Sequence, residues 1–304
     1  MRKRFLIFCI TICSLVLAVP LITFSYNFLS EFLSEPYNPE KHPLAIMRFG
    51  HGPKVLFIHG LAGSSNYWQS RLGDFGTDHD VILVDLLGFG LSPKPKSSYD
   101  LDVHVKAVST MVAKEVSPGS DKILIVAHSM GAMIALKLVE DFPERFSGAV
   151  LISLPIFKNK DDAATAISRI SPMYAATFNG DVLMRLSCYL RDFYRFEFLA
   201  HYFNLPADVF FDGTKHTWHS LAGSLRNTVA ATNSEQLVLA ANNKSLMFIH
   251  GDKDEIAPFE RVKEISAKVQ KPFYAIAGGD HHVFISHPQE ILALIRGFEA
   301  RSSH

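Results

Sequence analysis

Seven short runs of β-branched and aliphatic residues recur along the chain, and they alternate with longer stretches that have helical spacing. Strands that alternate with helices are joined by right-handed crossovers, which build a mostly parallel sheet covered by helices on both faces. Helical patterns cover, for example, residues 102–115 and 131–142. The sequence therefore predicts an α/β fold. The runs begin at Leu44, Lys54, Asp80, Lys122, Gly148, Ser245 and Pro272.

One long interval has no strand character. Residues 156–243 instead carry helical patterns and many aromatic side chains, and we predict that they form a helical lid over the end of the sheet. Most of these aromatics are expected to pack the lid against itself, and a minority to face a substrate, because pockets are lined mainly by apolar and aromatic groups. The candidates are Tyr174, Phe178, Tyr189, Phe193, Tyr194, Phe196, Phe198, Tyr202, Phe203, Phe210, Phe211 and Trp218.

The N-terminus predicts a membrane segment over residues 1–30. Arg2, Lys3 and Arg4 precede an uncharged stretch over residues 5–30, and a bilayer needs roughly 20 apolar residues. Apolar residues continue past Pro20, which favours an uncleaved anchor, and a cleaved signal peptide is the alternative. The basic cluster places the remainder of the chain on the non-cytoplasmic side. Residues 31–43 are predicted to be a linker, with a core of residues 44–155 and 244–304.

A single serine stands where a buried strand should turn sharply into a helix. In "KILIVAHSMGAM", an Ile, Leu and Val run leads to Ser129, and a helical pattern begins directly after it. The small residues Ala127 and Gly131 flank the turn, which lets the two backbones approach closely. This arrangement is typical of a nucleophile elbow, in which the hydroxyl stands clear of the backbone.

A serine hydroxyl is a weak nucleophile until a base takes its proton, and a carboxylate must orient that base. Two later clusters supply such groups at predicted strand ends: "IHGDKDEIAP" after the strand from Ser245, and "GGDHHVFISHP" after the strand from Pro272. Asp252 and Asp254 compete for the acid, and His281 and His282 compete for the base.

These three motifs, preceded along the chain by "FIHGLAGSSNYW" and "VDLLGFGLSPKP", resemble the α/β-hydrolase superfamily, over about residues 44–155 and 245–297. The resemblance implies an α/β-hydrolase fold with Ser129, Asp254 and His281 as catalytic residues. The loop "FIHGLAGSSNYW" resembles the family's His-Gly loop, so the backbone amides of Leu61 and Met130 are the implied oxyanion hole. His59 is then a loop-shaping residue, and Asp85 in "VDLLGFGLSPKP" is a structural hydrogen-bonding residue.

The elbow and loop are most similar to those of carboxylesterases and monoacylglycerol-type lipases. We therefore expect a serine hydrolase that cleaves carboxylic esters, with a lipophilic small-molecule ester or a lipid as substrate. An acyltransferase, a carbon–carbon bond hydrolase with the same residues, and a non-catalytic receptor are the alternatives. No metal or organic cofactor is expected, and Cys188 is expected to be a buried, unreactive thiol. With 30 basic and 30 acidic residues, the chain gives no indication of a nucleic-acid partner.

Overall fold

The computed structural model describes the backbone of residues 2–117, 119, 121–157, 159–170, 172–194, 200–201 and 205–302. It describes side chains over the same ranges except residues 2–17, 170, 193–194 and 302.

Seven strands form one sheet, and each predicted strand is present within two residues of its expected start. The strands are β1 (Ile46–Gly50), β2 (Lys54–Ile58), β3 (Asp80–Val84), β4 (Ile123–His128), β5 (Phe146–Ile152), β6 (Ser245–Gly251) and β7 (Phe273–Ile276). Their order across the sheet is β1-β3-β2-β4-β5-β6-β7. Only β1 runs antiparallel to its neighbour, so the predicted mostly parallel sheet is confirmed.

The parallel strands bring distant parts of the chain to one edge of the sheet. Ile58 of β2 is in register with Ala127 of β4, and β6 pairs with β5 on the other side. The carboxyl ends of β2, β4, β6 and β7 therefore meet at the same edge, where open α/β sheets bind their ligands.

Helices cover both faces of this sheet. They are α1 (Arg2–Leu33), α2 (Asn66–Gln69), α3 (Leu101–Glu115), α4 (Met130–Asp141), α5 (Lys160–Ile170), α6 (Pro172–Asn179), α7 (Val182–Tyr189), α8 (Ala207–Gly213), α9 (Trp218–Gly223), α10 (Ser234–Ala240), α11 (Phe259–Lys268), α12 (Val283–Ser286) and α13 (Pro288–Ser302). A π-helical turn spans Ser224–Val229, and 3₁₀ turns span Phe75–Thr77, Arg191–Tyr194 and Ala241–Asn243.

The sheet has a separate apolar core on each face. Alternate side chains of a strand point to opposite faces, so Leu56 and Ile125 pack with α3 and α4, whereas Phe57 and Val126 pack with α2 and α13. Strand β4 is buried over its whole length. The serine thus follows directly after a fully buried strand.

Within the described residues, the segment between β5 and β6 contains no strand and is mostly helical. Tyr174 and Phe178 pack against the core on the α4 side of the sheet. The lid is therefore anchored to the sheet's own core. Of the twelve aromatics named from the sequence, Phe193, Tyr194, Phe196, Phe198, Tyr202 and Phe203 lie outside the residues whose side chains are described.

Helix α1 ends at Leu33, so the first three residues of the predicted linker, 31–33, are helical instead. The reason is a tertiary contact: Asn27 and Glu31 are each 4% exposed and pack against the lid. Asn27 donates to the carbonyl of Tyr189 at 2.9 Å and accepts from Arg191 at 2.9 Å, while Glu31 accepts from the backbone N–H of Trp218 at 3.2 Å.

The membrane segment predicted over residues 1–30 falls largely on residues 1–17, whose side chains lie outside the described part of the chain. No helix within the described part combines the length and the apolar character needed to cross a bilayer.

Candidate active site

Ser129 occupies the strained turn that the sequence predicts. Its φ of 53° and ψ of −120° lie in a region that non-glycine residues rarely adopt, at a cost on the order of 1–3 kcal/mol. Two backbone bonds hold this conformation: Ser129 N donates to Ile152 O on β5, and Ala132 N donates to Ser129 O, both at 2.9 Å. The strain keeps the hydroxyl directed away from the strand and the helix.

Two glycines are required by the close approach of backbones at this turn. A Cβ atom on Gly131 would lie 2.5 Å from the carbonyl oxygen of His59 and 2.6 Å from that of Ile58. A Cβ atom on Gly60 would lie 3.0 Å from the Cβ of Ser129. The loop after β2 therefore packs directly against the serine.

This loop also carries one of the two amides expected to bind an oxyanion, that of Leu61. The second belongs to Met130, which begins α4, and the first amides of a helix have no intrahelical acceptor. His59 shapes the loop as predicted, because its Nδ1–H donates to Gly60 O at 2.7 Å and its Nε2 accepts from Leu86 N at 2.9 Å. Burial lowers the pKa of His59, so the ring stays neutral in this role.

Side chains from two other elements hold the same loop. Asp85 has the structural role predicted for it, since its carboxylate accepts from the backbone N–H of Ser65 at 2.6 Å. Asp212 of the lid accepts from the Ser64 hydroxyl at 2.8 Å and from the Asn66 amide at 2.6 Å. The position of the loop therefore depends on the lid as well as on the sheet.

The three residues expected to be catalytic lie in one hydrogen-bonded chain. His281 Nε2 is 3.0 Å from Ser129 Oγ, and His281 Nδ1 is 2.9 Å from Asp254 Oδ2. The side chain of Asp254 is fully buried and that of His281 is 7% exposed. A base within hydrogen-bond reach of a hydroxyl, itself oriented by a carboxylate, is the geometry that nucleophilic catalysis by serine requires.

The Asp254 carboxylate is surrounded by donors. Oδ1 accepts from the backbone amides of Ile256 and Ala257, both at 2.8 Å. Oδ2 faces His281 and also His250, whose Nε2 lies 3.1 Å away. Burial alone would raise the pKa of Asp254, but the charge of His281 and the hydrogen bonds of His250 and His281 outweigh it and hold that pKa far below its usual range. The group is therefore a carboxylate at neutral pH.

Two histidines beside these hydrogen-bonded residues were not identified from the sequence. His250 is fully buried, and its Nε2 is shared between Asp254 and the carbonyl of Ala257 at 3.0 Å. The Nε2 of His128 lies 2.9 Å from the main-chain carbonyl of His281, which fixes the backbone behind the base. Burial lowers the pKa of His128 well below its ordinary value, so this neutral ring donates through Nε2–H. His128 is the last residue of β4 and His250 is the last but one of β6, and these positions are the signal in the sequence that could have found them.

Asp252 and His282, the alternatives for the acid and the base, make other contacts. Asp252 accepts from the backbone N–H of Gly278 at 2.7 Å and so links the loop after β6 to the loop after β7. His282 stacks at a tilt on Tyr67, at 5.9 Å between ring centroids, and burial lowers its pKa to about 4. The structure thus brings Asp254 and His281, rather than these neighbours, to Ser129.

The lid contacts the site through a small apolar cluster. Cys188, Trp218 and Leu221 pack together and against Leu61 and Ala62 of the loop after β2. Burial raises the pKa of the Cys188 thiol to about 12, which leaves it unreactive. Trp218 is therefore the described lid aromatic that packs with the loop bearing the Leu61 amide.

Other lid aromatics make different contacts. Tyr189 packs edge-on against Phe24 and Phe28 of α1, and Phe210 packs against Phe211. A cavity of about 390 Å³ lies beside His282, with Leu205 in its wall. Within the described residues, no group of three or more His, Cys, Asp or Glu side chains is placed to hold a metal ion.

The chain is similar to a known sequence family and to a curated protein. The sequence model of the alpha/beta hydrolase fold family matches residues 53–288. The probable lysophospholipase BODYGUARD 5 of Arabidopsis thaliana is 26% identical over 269 residues, which cover 79% of this chain and 60% of that protein. The chain therefore spans about 60% of the length of this curated relative.

Two solved structures share the fold. One is E-2-(acetamidomethylene)succinate hydrolase, with a TM-score of 0.67 and 19% identity over 88% of this chain and 99% of that one. The other is a thermophilic esterase of Thermogutta terrifontis, with a TM-score of 0.65 and 18% identity over 85% of this chain and 93% of that one. At these identities, the similarity shows the fold alone.

Proposed function

Because the chain belongs to the alpha/beta hydrolase fold family, we propose that it hydrolyses carboxylic esters through Ser129, His281 and Asp254. The observation that carries the proposal is the hydrogen-bonded chain from Ser129 Oγ through His281 to the buried Asp254 carboxylate, at 3.0 Å and 2.9 Å. Supporting it, a relative named as a probable lysophospholipase aligns over most of this chain.

In the first step, His281 Nε2 takes the Ser129 proton while Oγ attacks the ester carbonyl carbon. The carbonyl oxygen becomes an oxyanion, and the amides of Leu61 and Met130 are its proposed donors. Asp254 keeps the hydrogen of His281 on Nδ1 and stabilises the imidazolium. His281 then protonates the departing alcohol, which leaves an acyl group on Ser129.

In the second step, His281 takes a proton from water, and the resulting hydroxide attacks the acyl group. The second tetrahedral intermediate uses the same two amides. Its collapse returns the proton to Ser129 Oγ and releases the carboxylic acid. Atoms and charge balance with water as the only co-reactant.

We propose a lipophilic ester as substrate. Two features support this: the apolar cluster of Trp218 and Cys188 against Leu61, and the name of the relative. The name describes that protein, and this chain spans only part of its length, so the lipid substrate is a proposal for this chain.

The test is activity on p-nitrophenyl esters of increasing acyl length, together with labelling by a fluorophosphonate. We expect kcat/KM to rise from acetate to octanoate, and Ser129→Ala to lose both turnover and labelling while it keeps its unfolding temperature. Ser153→Ala is the matched control. Ser153 also has a positive φ, of 50°, but it follows β5, whereas Ser129 follows β4 and forms the elbow. Undiminished turnover in Ser129→Ala would overturn the mechanism, and a strong preference for acetate would overturn the lipophilic substrate.

The same assay separates the alternatives. Product esters formed with added glycerol would show an acyltransferase, and cleavage of a 1,3-diketone without any ester turnover would show a carbon–carbon bond hydrolase. The absence of both labelling and turnover would indicate a receptor.

We also propose that residues 1–30 attach the chain to a membrane, with the remainder on the non-cytoplasmic side. The support is the basic cluster of residues 2–4 before the uncharged residues 5–30. We expect the protein to stay in the membrane pellet at alkaline pH and to be protected from protease added on the cytoplasmic side. A soluble product with a new N-terminus would show signal cleavage instead.

A further inference from the structure

A second cavity, of about 370 Å³, lies between α1, the turn after β3 and the lid. Lys94 lines it from the turn, Arg191 and Lys215 line it from the lid, and Glu31 lines it from α1. Ser129, Asp254 and His281 are absent from its wall. The proposed ester hydrolysis makes no use of this space.

The cationic side chains around the cavity hold unused hydrogen-bond donors. Lys94 Nζ donates to two main-chain carbonyls, those of Gly90 and Ser92, at 2.9 Å each, which leaves one of its three N–H groups. Arg191 donates to Cys188 O and to Asn27 Oδ1, which leaves three of its five N–H groups.

Lys215 Nζ is 2.6 Å from Asp212 Oδ1 and keeps two further N–H groups. Donors from the turn and from the lid therefore remain available in the wall of one cavity.

The carboxylates in the same wall are already engaged. Glu31 accepts hydrogen bonds from the backbone N–H of Trp218 and from His219. Asp192 accepts from the Asn27 amide at 3.1 Å. Among the ion pairs of the described residues, neither Lys94 nor Arg191 has a carboxylate partner.

Three cationic and two acidic side chains line the cavity, so its formal charge is +1. Burial, together with the positive charges of Arg191 and Lys215, lowers the pKa of Lys94 to about 8, although the charge of Asp85 opposes this. Burial is the largest cause of this shift, and the repulsion from the two neighbouring cations adds to it. An anion in the cavity would relieve this repulsion.

We propose that this cavity binds a small oxyanion of the phosphate type through Lys94, Arg191 and Lys215. Phosphate oxygens accept several charge-assisted hydrogen bonds at once, and guanidinium and ammonium groups are their usual partners. Lys94 belongs to the sheet domain, and Arg191 and Lys215 belong to the lid. The bound anion would thus tie the lid to the sheet domain. The phosphate can come from free phosphate ions or from a lipid headgroup.

The test measures phosphate binding to the full chain in neutral detergent, by calorimetry and by unfolding temperature, with sodium chloride at equal ionic strength as the reference. We expect saturable binding that raises the unfolding temperature of the wild type. Lys94→Met and Arg191→Gln should each weaken binding at least tenfold, whereas Lys94→Arg should retain it.

The matched control is Lys96→Met. Lys96 is two residues away, is exposed, and places its ammonium 5.6 Å from the centroid of the Phe32 ring rather than in the cavity. This variant should bind phosphate like the wild type. Lys94→Arg keeps the positive charge, so it keeps the test decisive even if Lys94→Met does not fold.

Hexyl phosphate distinguishes the two sources, because it resembles a lipid headgroup but offers no carboxylic ester to cleave. Binding at least tenfold tighter than inorganic phosphate supports the headgroup, and equal binding supports the free ion. Binding of neither ligand to the wild type, or equal binding by Lys94→Met and Arg191→Gln, overturns the site. None of these measurements depends on ester turnover by Ser129. The phosphate site is therefore tested independently of the proposed hydrolysis.

Discussion

The substitution Asp254→Asn tests the proposed mechanism at the carboxylate that orients His281. The substitution replaces one carboxylate oxygen by an NH₂ group and leaves the size of the side chain unchanged. Oδ1 accepts the backbone amides of Ile256 and Ala257, both at 2.8 Å. An NH₂ group cannot accept those bonds, so the amide oxygen must take this position and the NH₂ group must take that of Oδ2.

The NH₂ group would then face His281 Nδ1, which lies 2.9 Å from Oδ2. To accept from this new donor, His281 must move its own hydrogen to Nε2, the atom 3.0 Å from Ser129 Oγ. In that tautomer the ring cannot take the serine proton. The two backbone amides prevent the asparagine from flipping to restore the productive tautomer.

A wrong tautomer of the catalytic histidine costs about 10⁴-fold in kcat, which corresponds to about 5.4 kcal/mol of barrier height. We expect a loss of this size with a small change in KM, because Asp254 is buried behind His281 and does not face the substrate. Stability should also fall, because His250 Nε2 is 3.1 Å from Oδ2 and its N–H would oppose the new NH₂ group.

The assay is steady-state turnover of a p-nitrophenyl ester at pH 8, with circular dichroism to establish folding. Asp252→Asn is the control, since Asp252 follows the same strand but accepts from Gly278 rather than facing His281, and it should keep nearly full activity. A folded Asp254→Asn variant with more than a tenth of wild-type kcat would refute the tautomer argument, as would a larger loss in Asp252→Asn.

Three further outcomes follow from named contacts. His250→Phe removes a donor to the buried Asp254 carboxylate, and hydrogen bonds to charged groups contribute about 1.5–3 kcal/mol, so urea unfolding should show a loss of that order, and an unchanged midpoint would contradict it. Gly131→Ala should cost about 1–3 kcal/mol in the same experiment, because the added Cβ meets two carbonyl oxygens within 2.6 Å. Burial lowers the pKa of His104 from 6.5 to about 4, so the folded chain excludes a proton that the unfolded chain binds. Stability should therefore be full above pH 6.5 and fall from there towards pH 4, and His104→Gln should reduce the fall in unfolding temperature between pH 7 and pH 5.

The sequence predicts the sheet well because each strand is a short aliphatic run, and such runs are local signals. The meeting of Ser129, Asp254 and His281 is also predictable, since each follows a strand and parallel strands end at one edge. The choice of Asp254 over Asp252 needed the family pattern, because both residues follow the same strand by a few positions.

Contacts between distant segments could not be predicted in this way. Asn27 and Glu31 lie in or beside a stretch that reads as a membrane segment and linker, yet both are buried against a lid more than 150 residues away. The same holds for Asp212, which holds the loop at Ser64 from 148 residues away. No local pattern reports such pairs, since only the folded backbone brings them together.

The contact between α1 and the lid has a practical consequence for anyone who purifies this protein. A chain shortened to begin after Leu33 would lack the proposed membrane segment. It would also leave the N–H of Trp218 and the ring of His219 without the Glu31 carboxylate, and it would uncover Tyr189, now 2% exposed. Kinetics measured on the shortened chain would therefore describe a protein whose lid has lost its contacts with α1.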